Sequence, residues 1–355
     1  MDLDKLRERI NEIDRELIDI LNERTRVVQQ IGQYKHDRGL PFYAPHREQE
    51  VFKKITDLNQ GPMPDDALHA IYREIMSSSL HLEKPLRISY LGPEASYTNQ
   101  AAIKKFGSSL HYSPQTTIDD VFLEVARGKA DYGVVPIENS MEGAVYHTLD
   151  MFATSDLKIC AQINLPITHH LLSRADRLED IKTVYAHSQV VGQCRSWLDK
   201  HLPQVNIEEA QDGIHAAKQA TEKEEHAAIA NILAADRYEL DVIADNIQSV
   251  EGNTTRYLVL STESADATGD DKTSIMFAAP DRVGSLVEIL QTIRDFDINM
   301  SKIESRPSRQ KAWNYYFFVD FYGHVEDEKV QQMLAGIREM NIYVKVLGSY
   351  PDTAS

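Results

Sequence analysis

Leu3, Leu6, Ile10, Ile13, Leu17, Ile20, Val27 and Ile31 step by three and four along the start of the chain. That spacing predicts one long helix with an apolar seam, because residues three and four apart share a helix face. Arg24 fills the gap in the series, and Gly39 and Pro41 mark the expected end. Two further helices are expected, from about His46 to Leu58 and from about Asp65 to Glu83, with Gly61, Pro62 and Pro64 between them. Three helices make a thin core for residues 1–85. An all-helical dimer is the natural way to bury so long a seam.

Several polar residues sit on these apolar stripes. Arg24 takes a seam position, and Lys35 lies about three turns further on, on nearly the same face. Arg47 shares the face of Val51, and Ser79 and Glu83 continue the stripe of Tyr72, Ile75 and Met76. Arg7 is rotated by about a quarter turn from Arg24, which suggests that it serves another chain's pocket. Buried cations need anions, and a dicarboxylate ligand would supply them.

Composition removes whole classes of function. The 355 residues carry a net charge of −17, which argues against a non-specific nucleic-acid binder and against binding to an anionic membrane. The two cysteines, Cys160 and Cys194, have no CxxC spacing and suggest a reducing compartment. Met1-Asp2-Leu3-Asp4 does not open a signal peptide, and no apolar run reaches membrane-spanning length. A cytoplasmic protein is the expectation.

From residue 86 to 262 strands and helices alternate, which predicts layered α/β sheets in two lobes. Arg87–Leu91 reads as a strand running into Gly92-Pro93, and Ser96 caps the helix that follows. Thr116–Arg127 reads as a helix, Tyr132–Ile137 as a buried strand and Ser140–Phe152 as a helix. Strands are expected at Ile167–Leu172, Thr183–Ala186 and Ala227–Ile229, with the chain crossing lobes near Asn164 and returning near Ala244. Gly252-Asn253 then turns into Thr254-Thr255-Arg256-Tyr257 and the apolar run Leu258-Val259-Leu260. Ligands of such folds lie at strand C-terminal ends between lobes, where Ser96, Asn139 and Thr255 would meet. Thr offers a positionable hydroxyl and Arg a planar fork for a carboxylate. His147, His169, His170 and His187 show no metal-ligand spacing, so neither metal nor cofactor is expected.

Residues 263–271 are small, acidic and turn-rich, and read as a linker. The remainder reads as strand, helix, strand, strand, helix, strand.

Three stretches resemble known families. Leu6-Arg7-Glu8-Arg9-Ile10, Glu23-Arg24, Gly32-Gln33-Tyr34-Lys35 and Pro45-His46-Arg47-Glu48 resemble the all-helical chorismate mutase domain, over residues 1–85. That resemblance implies an intertwined dimer in which Arg7 reaches the partner's site. It also places Arg24, Lys35, Arg47, Glu48, Ser79 and Glu83 around chorismate. Residue 44 is Ala where many relatives carry an acid, and residue 83 is Glu where some use Gln. Such a Glu donates to the substrate's ether oxygen only when protonated.

Val135-Pro136-Ile137-Glu138-Asn139-Ser140, Gln193-Cys194 and Thr255-Arg256-Tyr257 resemble prephenate dehydratase, over residues 86–262, a two-lobed fold like that of periplasmic binding proteins. There Thr255 is implied as the essential catalytic residue, Arg256 as the ligand of a prephenate carboxylate, and Ser96 and Asn139 as further site residues. Tyr257 replaces the family's usual Phe.

Gly284-Ser285-Leu286-Val287 and Glu304-Ser305-Arg306-Pro307 resemble the ligand segments of the ACT domain, over residues 272–350, and Trp313 and the aromatic strand after it fit the same domain. It implies a ferredoxin-like fold that binds L-phenylalanine as allosteric inhibitor where two such domains pair. Together the resemblances imply a homodimeric or larger bifunctional enzyme that converts chorismate to prephenate and prephenate to phenylpyruvate. A phenylalanine sensor with an inactive mutase, and a dehydratase preferring arogenate, are the alternatives.

Overall fold

The computed structural model describes residues 2–40, 42–280, 282–307, 315–340 and 342–352. Pro41 and Trp313 lie outside the described residues. The chain forms two compact units, one running to Leu86 and including Phe106–His111, the other holding the remainder.

The first unit is helical: α1 (Leu3–Arg38), α2 (Pro45–Leu58) and α3 (Asp65–Glu83). Asp2 caps α1, and Gly39 ends it in the left-handed conformation at φ 64°. At 36 residues, α1 is about 54 Å long. Gly32 is its one buried residue among those described. The predicted seam is open: its eight apolar residues, from Leu3 to Ile31, are 42–61% exposed.

The second unit begins with β1 (Arg87–Leu91), α4 (Tyr97–Phe106), β2 (His111–Gln115), α5 (Ile118–Ala126), β3 (Tyr132–Asn139), β4 (Gly143–Ala144), α6 (Tyr146–Thr154) and β5 (Lys158–Pro166). The chain then builds a second lobe from β6 (His170–Ser173), β7 (Thr183–Ala186), α7 (Ser188–His201), β8 (Asn206–Glu209), α8 (Gly213–Ala220), β9 (His226–Ala230), α9 (Ile232–Tyr238) and β10 (Asp241–Ala244). It returns with β11 (Thr254–Ser261). The first-lobe sheet runs β2-β1-β3-β11-β5 with β4 beside β3, and the second runs β10-β6-β9-β7-β8. Thus β11 enters the middle of the first sheet, antiparallel to both β3 and β5.

The C-terminal part consists of β12 (Asp271–Ala279), α10 (Ser285–Asp295), β13 (Met300–Pro307), β14 (Tyr315–Tyr322), α11 (Glu328–Glu339) and β15 (Val344–Pro351). Its sheet order is β13-β14-β12-β15, antiparallel throughout. One face of this sheet, with Ile275, Phe277, Val319 and Phe321, packs on α10 and α11. The other face, with Met276, Phe318, Leu347 and Tyr350, joins the first-lobe core around Phe122, Phe152 and Ile159. Gly348 permits this contact. A Cβ there would lie 2.1 Å from the Ile159 carbonyl oxygen, so only glycine fits.

Three expectations need correction. Residues 140–152 are not one helix. Gly143, at φ 83°, and the short strand β4 interrupt them, and α6 starts at Tyr146. The strand expected at Ile167–Leu172 is the junction of β5 and β6, and β5 itself was not foreseen. Nor are residues 263–271 a free linker. Ala265 is buried, Asp271 already belongs to β12, and its carboxylate accepts from the backbone N–H groups of Thr268 and Gly269.

Candidate functional site

In the helical unit, α1 and α3 bring four of the predicted residues together. Arg24 Nη1 donates to Ser79 Oγ at 2.8 Å, and Ser79 donates in turn to the Ile75 carbonyl. Lys35 Nζ donates to the Phe42 carbonyl at 2.8 Å and stands 3.7 Å from Glu83 Oε2. Gly32 packs on Glu83, whose Cγ would be 2.9 Å from a Cβ at that position. Glu83 Oε2 is buried without a hydrogen-bond partner. Burial raises the Glu83 carboxyl above its usual range, against the charges of Lys35 and Arg24. The site therefore presents two cations and a carboxyl inclined to hold its proton.

Glu48 is engaged by Tyr43, whose hydroxyl donates to it at 2.8 Å. Arg47 pairs with Glu50 on the surface. Arg7 is 68% exposed and pairs with Asp4 at 3.5 Å. It lies about 25 Å along α1 from Arg24, too far to share a pocket within one chain.

In the second unit, Asn139 at the end of β3 lies directly opposite Thr255 on β11. Asn139 Oδ1 accepts from the backbone N–H groups of Met141 and Glu142, at 2.9 and 3.1 Å. That fixes the amide orientation, since N–H groups only donate. Its Nδ2 then donates to Thr255 Oγ1 at 2.8 Å and to Asn253 Oδ1 at 2.7 Å. Thr255 accepts from Asn139. Tyr257 follows on the same strand face, and burial raises its hydroxyl well above the usual range while the Thr255 and Thr98 hydroxyls bond to it.

Ser96 acts as a cap: its Oγ donates to the Leu91 carbonyl and accepts from the backbone N–H of Asn99. Three residues not foreseen as a set span the two lobes. The Tyr97 hydroxyl lies 2.7 Å from the Thr168 carbonyl oxygen and 2.8 Å from His169 Nδ1, and His169 Nε2 lies 2.6 Å from Gln193 Oε1. Burial lowers the affinity of His169 for a second proton, and raises the Cys194 thiol to about 12. Neither a histidinium nor a thiolate is on offer. Their distance apart in sequence hid this network; Ser96-Tyr97-Thr98 and Gln193-Cys194 each signalled one member of it. A cavity of about 650 Å³ opens between the lobes, lined by Gly92, Pro93, Gln115, Asp212, His215 and Lys218 among others.

Neither Asn139 nor Thr255 is among the residues that line this cavity, and Thr255 is buried. Arg256 does not share the side of the sheet that Thr255 takes. Adjacent strand residues face opposite sides of a sheet. Its guanidinium reaches Glu138 at 2.9 Å, Asp320 at 2.7 Å and the Tyr350 hydroxyl at 2.8 Å, all on the C-terminal-sheet side. Arg306 is likewise turned away from its expected pocket. It forks onto Asp150 at 3.0 and 2.7 Å and lies over the Tyr146 ring. A separate cavity of about 240 Å³ is lined by Gly284, Ser285, Leu286 and Val287 with Tyr315 and Phe317. Ser305 and Pro307 of β13 pair with Phe317 and Tyr315 but are not among the lining residues, and Glu304 and Arg306 point to the opposite face. The Ser285 hydroxyl is occupied by the Pro280 carbonyl at 2.7 Å.

Family models match in series: chorismate mutase type II over residues 6–84, prephenate dehydratase over 88–265 and the ACT domain over 273–337. A bifunctional chorismate mutase/prephenate dehydratase of Aquifex aeolicus is 48% identical, covering 99% of this chain and 98% of its own. One from Pseudomonas aeruginosa is 41% identical, covering 98% and 97%. Among solved structures, a prephenate dehydratase from Arthrobacter aurescens in complex with L-Phe superposes with a TM-score of 0.70. It is 34% identical, covering 76% of this chain and 91% of its own. The match at 48% identity, along nearly the full length of both chains, makes this chain a member of the bifunctional chorismate mutase/prephenate dehydratase family.

Proposed function

We propose that the two family activities are divided between the units, with residues 1–85 rearranging chorismate and 86–262 converting prephenate to phenylpyruvate. The observation that carries the second half is the Asn139–Thr255 hydrogen bond, between the end of β3 and the start of β11. Prephenate loses carbon dioxide as the carboxylate's C–C electron pair enters the ring, and the ring hydroxyl leaves. That hydroxyl needs a donor as it departs. Thr255, with a lone pair held by Asn139, turns its proton from Tyr257 to the departing hydroxyl when prephenate is bound. It positions and hydrogen-bonds the leaving group and is too weak an acid to transfer a proton outright. Ser96 shapes the first turn of α4 beside this site.

The rearrangement is unimolecular and needs compact binding and stabilisation of charge on the ether oxygen. Arg24 and Lys35 serve the two carboxylates and the ether oxygen, and protonated Glu83 adds a donor. Ser79 orients Arg24, Tyr43 holds Glu48 at the pocket, and Arg47 is a further substrate cation drawn from the surface. The open seam of α1 is covered by a second copy of the chain, which carries Arg7 into this pocket. The homodimer is the working unit.

The 240 Å³ cavity is the phenylalanine site, with the N–H groups at the start of α10 for a carboxylate and Phe317 for the ring. The C-terminal part is then a ferredoxin-like regulatory domain, and exposed Val283, Val287 and Ile303 support pairing with a second one.

Two full-length variants test the division of labour. Thr255→Val should abolish phenylpyruvate formation and leave chorismate consumption intact, and Lys35→Ala should do the reverse. Loss of both activities in either variant would count against separate sites.

A further inference from the structure

We propose that Arg256, with Glu138 and Asp320, is a positioning clamp through which the C-terminal sheet sets the geometry of Thr255. The proposal rests on the reading of Thr255 as the catalytic hydroxyl. Thr255↔Asn139 and Arg256↔Glu138 are consecutive rungs of the β11–β3 ladder. The first rung turns its side chains toward each other and Tyr257. The second turns them to the C-terminal sheet.

That second rung is bonded to three strands at once. Arg256 reaches Asp320 on β14 and Tyr350 on β15, and Lys302 on β13 bonds the Glu138 oxygen that Arg256 leaves. Ser274 on β12 donates to the other Asp320 oxygen at 2.6 Å and lies 2.7 Å from the Tyr350 hydroxyl. Burial works against the charge on both Arg256 and Glu138. It is outweighed by Tyr350, Asp320 and Glu138 for the first and by Lys302 and Arg256 for the second, so both stay ionised.

The Cα atoms of residues 255 and 256 are about 3.8 Å apart across a rigid peptide, so a shift of the guanidinium's anchors moves Thr255. A register irregularity sits immediately after Arg256, where a strand can re-aim its side chains. The Nε–H of Arg256 is buried without an acceptor, which leaves the clamp short of saturation.

The input end lies on the same sheet. Lys302 and Arg306 of β13 grip the first lobe, and Tyr315 and Phe317 of β14, five and three residues before Asp320, line the 240 Å³ cavity. A ligand there touches one face of β14, while Asp320 of the clamp projects from the other.

The test is Asp320→Asn in the full-length protein. Removing this anion while keeping its shape should lower kcat for phenylpyruvate formation by about tenfold, with the prephenate KM within about twofold. The L-phenylalanine concentration needed for half-inhibition should rise at least about fivefold, the low end of ordinary coupling, while direct phenylalanine binding changes less than about twofold. Tyr350→Phe, which deletes one hydroxyl, should move the same quantities in the same direction and carries the test should Asp320→Asn not fold. Unchanged kcat and inhibition in both variants would overturn the clamp. So would a loss confined to KM, which would make Arg256 a substrate ligand, or a loss of phenylalanine binding itself. If Thr255→Val keeps full dehydratase activity, the catalytic reading fails instead, whatever the clamp variants do.

Discussion

Replacing Asn139 by aspartate tests the dehydratase site at a single atom. Asn139 makes four hydrogen bonds, two accepted from Met141 and Glu142 and two donated to Thr255 and Asn253. Asn139→Asp keeps the accepted pair and the shape. It turns the donor facing Thr255, at 2.8 Å, into an anionic acceptor. The threonine hydroxyl then rotates to donate to that carboxylate, and its proton is withdrawn from the leaving group. Loss of one positioned donor of this kind costs about 3–4 kcal/mol in the transition state, so kcat should fall by about a hundredfold to a thousandfold. Asn253 turns its amide to face the new carboxylate, so the folded state loses no more than about 1–2 kcal/mol. The assay is phenylpyruvate formation from supplied prephenate, followed against pH, with thermal melting alongside. Protonating the new carboxyl restores a donor toward Thr255, so activity should recover in part as pH falls. A kcat within a factor of about two of wild type at neutral pH would refute the role given to the Thr255 proton.

Glu83 is held above its usual carboxyl range by burial, so mutase activity should be full at low pH and decline as pH rises through that value. Glu83→Gln should flatten that limb of the pH profile, and an unchanged profile would remove Glu83 from the reaction. Gly32→Ala should gain about 1 kcal/mol of helix propensity and lose about 1–3 through its contact with Glu83. Melting should therefore move little while chorismate turnover drops about tenfold or more and prephenate turnover holds; a loss of stability without loss of turnover would count against the Glu83 placement. Arg7→Ala and Arg24→Ala chains, each inactive as mutase, should recover about a quarter of wild-type chorismate turnover after mixing and subunit exchange, since half the dimers then carry one intact site of two. No recovery, with exchange confirmed, would mean that Arg7 does not cross to its partner.

The helices were legible because their apolar spacing is long and regular: α2 and α3 fall within a residue of expectation, with Pro45 at the first turn of α2. Strand β11 was legible from Gly252-Asn253 and the apolar run after it. Strand β5 was missed because Lys158–Pro166 interrupts its apolar run with Gln162 and Asn164; Gln162 is nonetheless buried, where its amide donates to Asp352. Arg24, Lys35, Ser79 and Glu83 stand out in sequence because they break apolar stripes, and Asn139 and Thr255 because one closes an apolar strand and the other opens one. What went wrong was facing. Arg256 and Arg306 were read with their neighbours as single motifs, and a strand separates neighbours onto opposite faces. Asp320 and Asp150 become their partners through how the C-terminal sheet packs on the first lobe, and Glu138 through the β3–β11 register, and no local pattern carries either.

One experiment bears most directly on two sites and a regulator in one chain. Purified protein is given chorismate, and chorismate loss and phenylpyruvate formation are followed together with and without L-phenylalanine. Both should proceed, and phenylalanine should suppress phenylpyruvate formation. Phenylpyruvate formation that is unmoved by saturating, bound phenylalanine would contradict the account, as would untouched chorismate beside active dehydration of supplied prephenate.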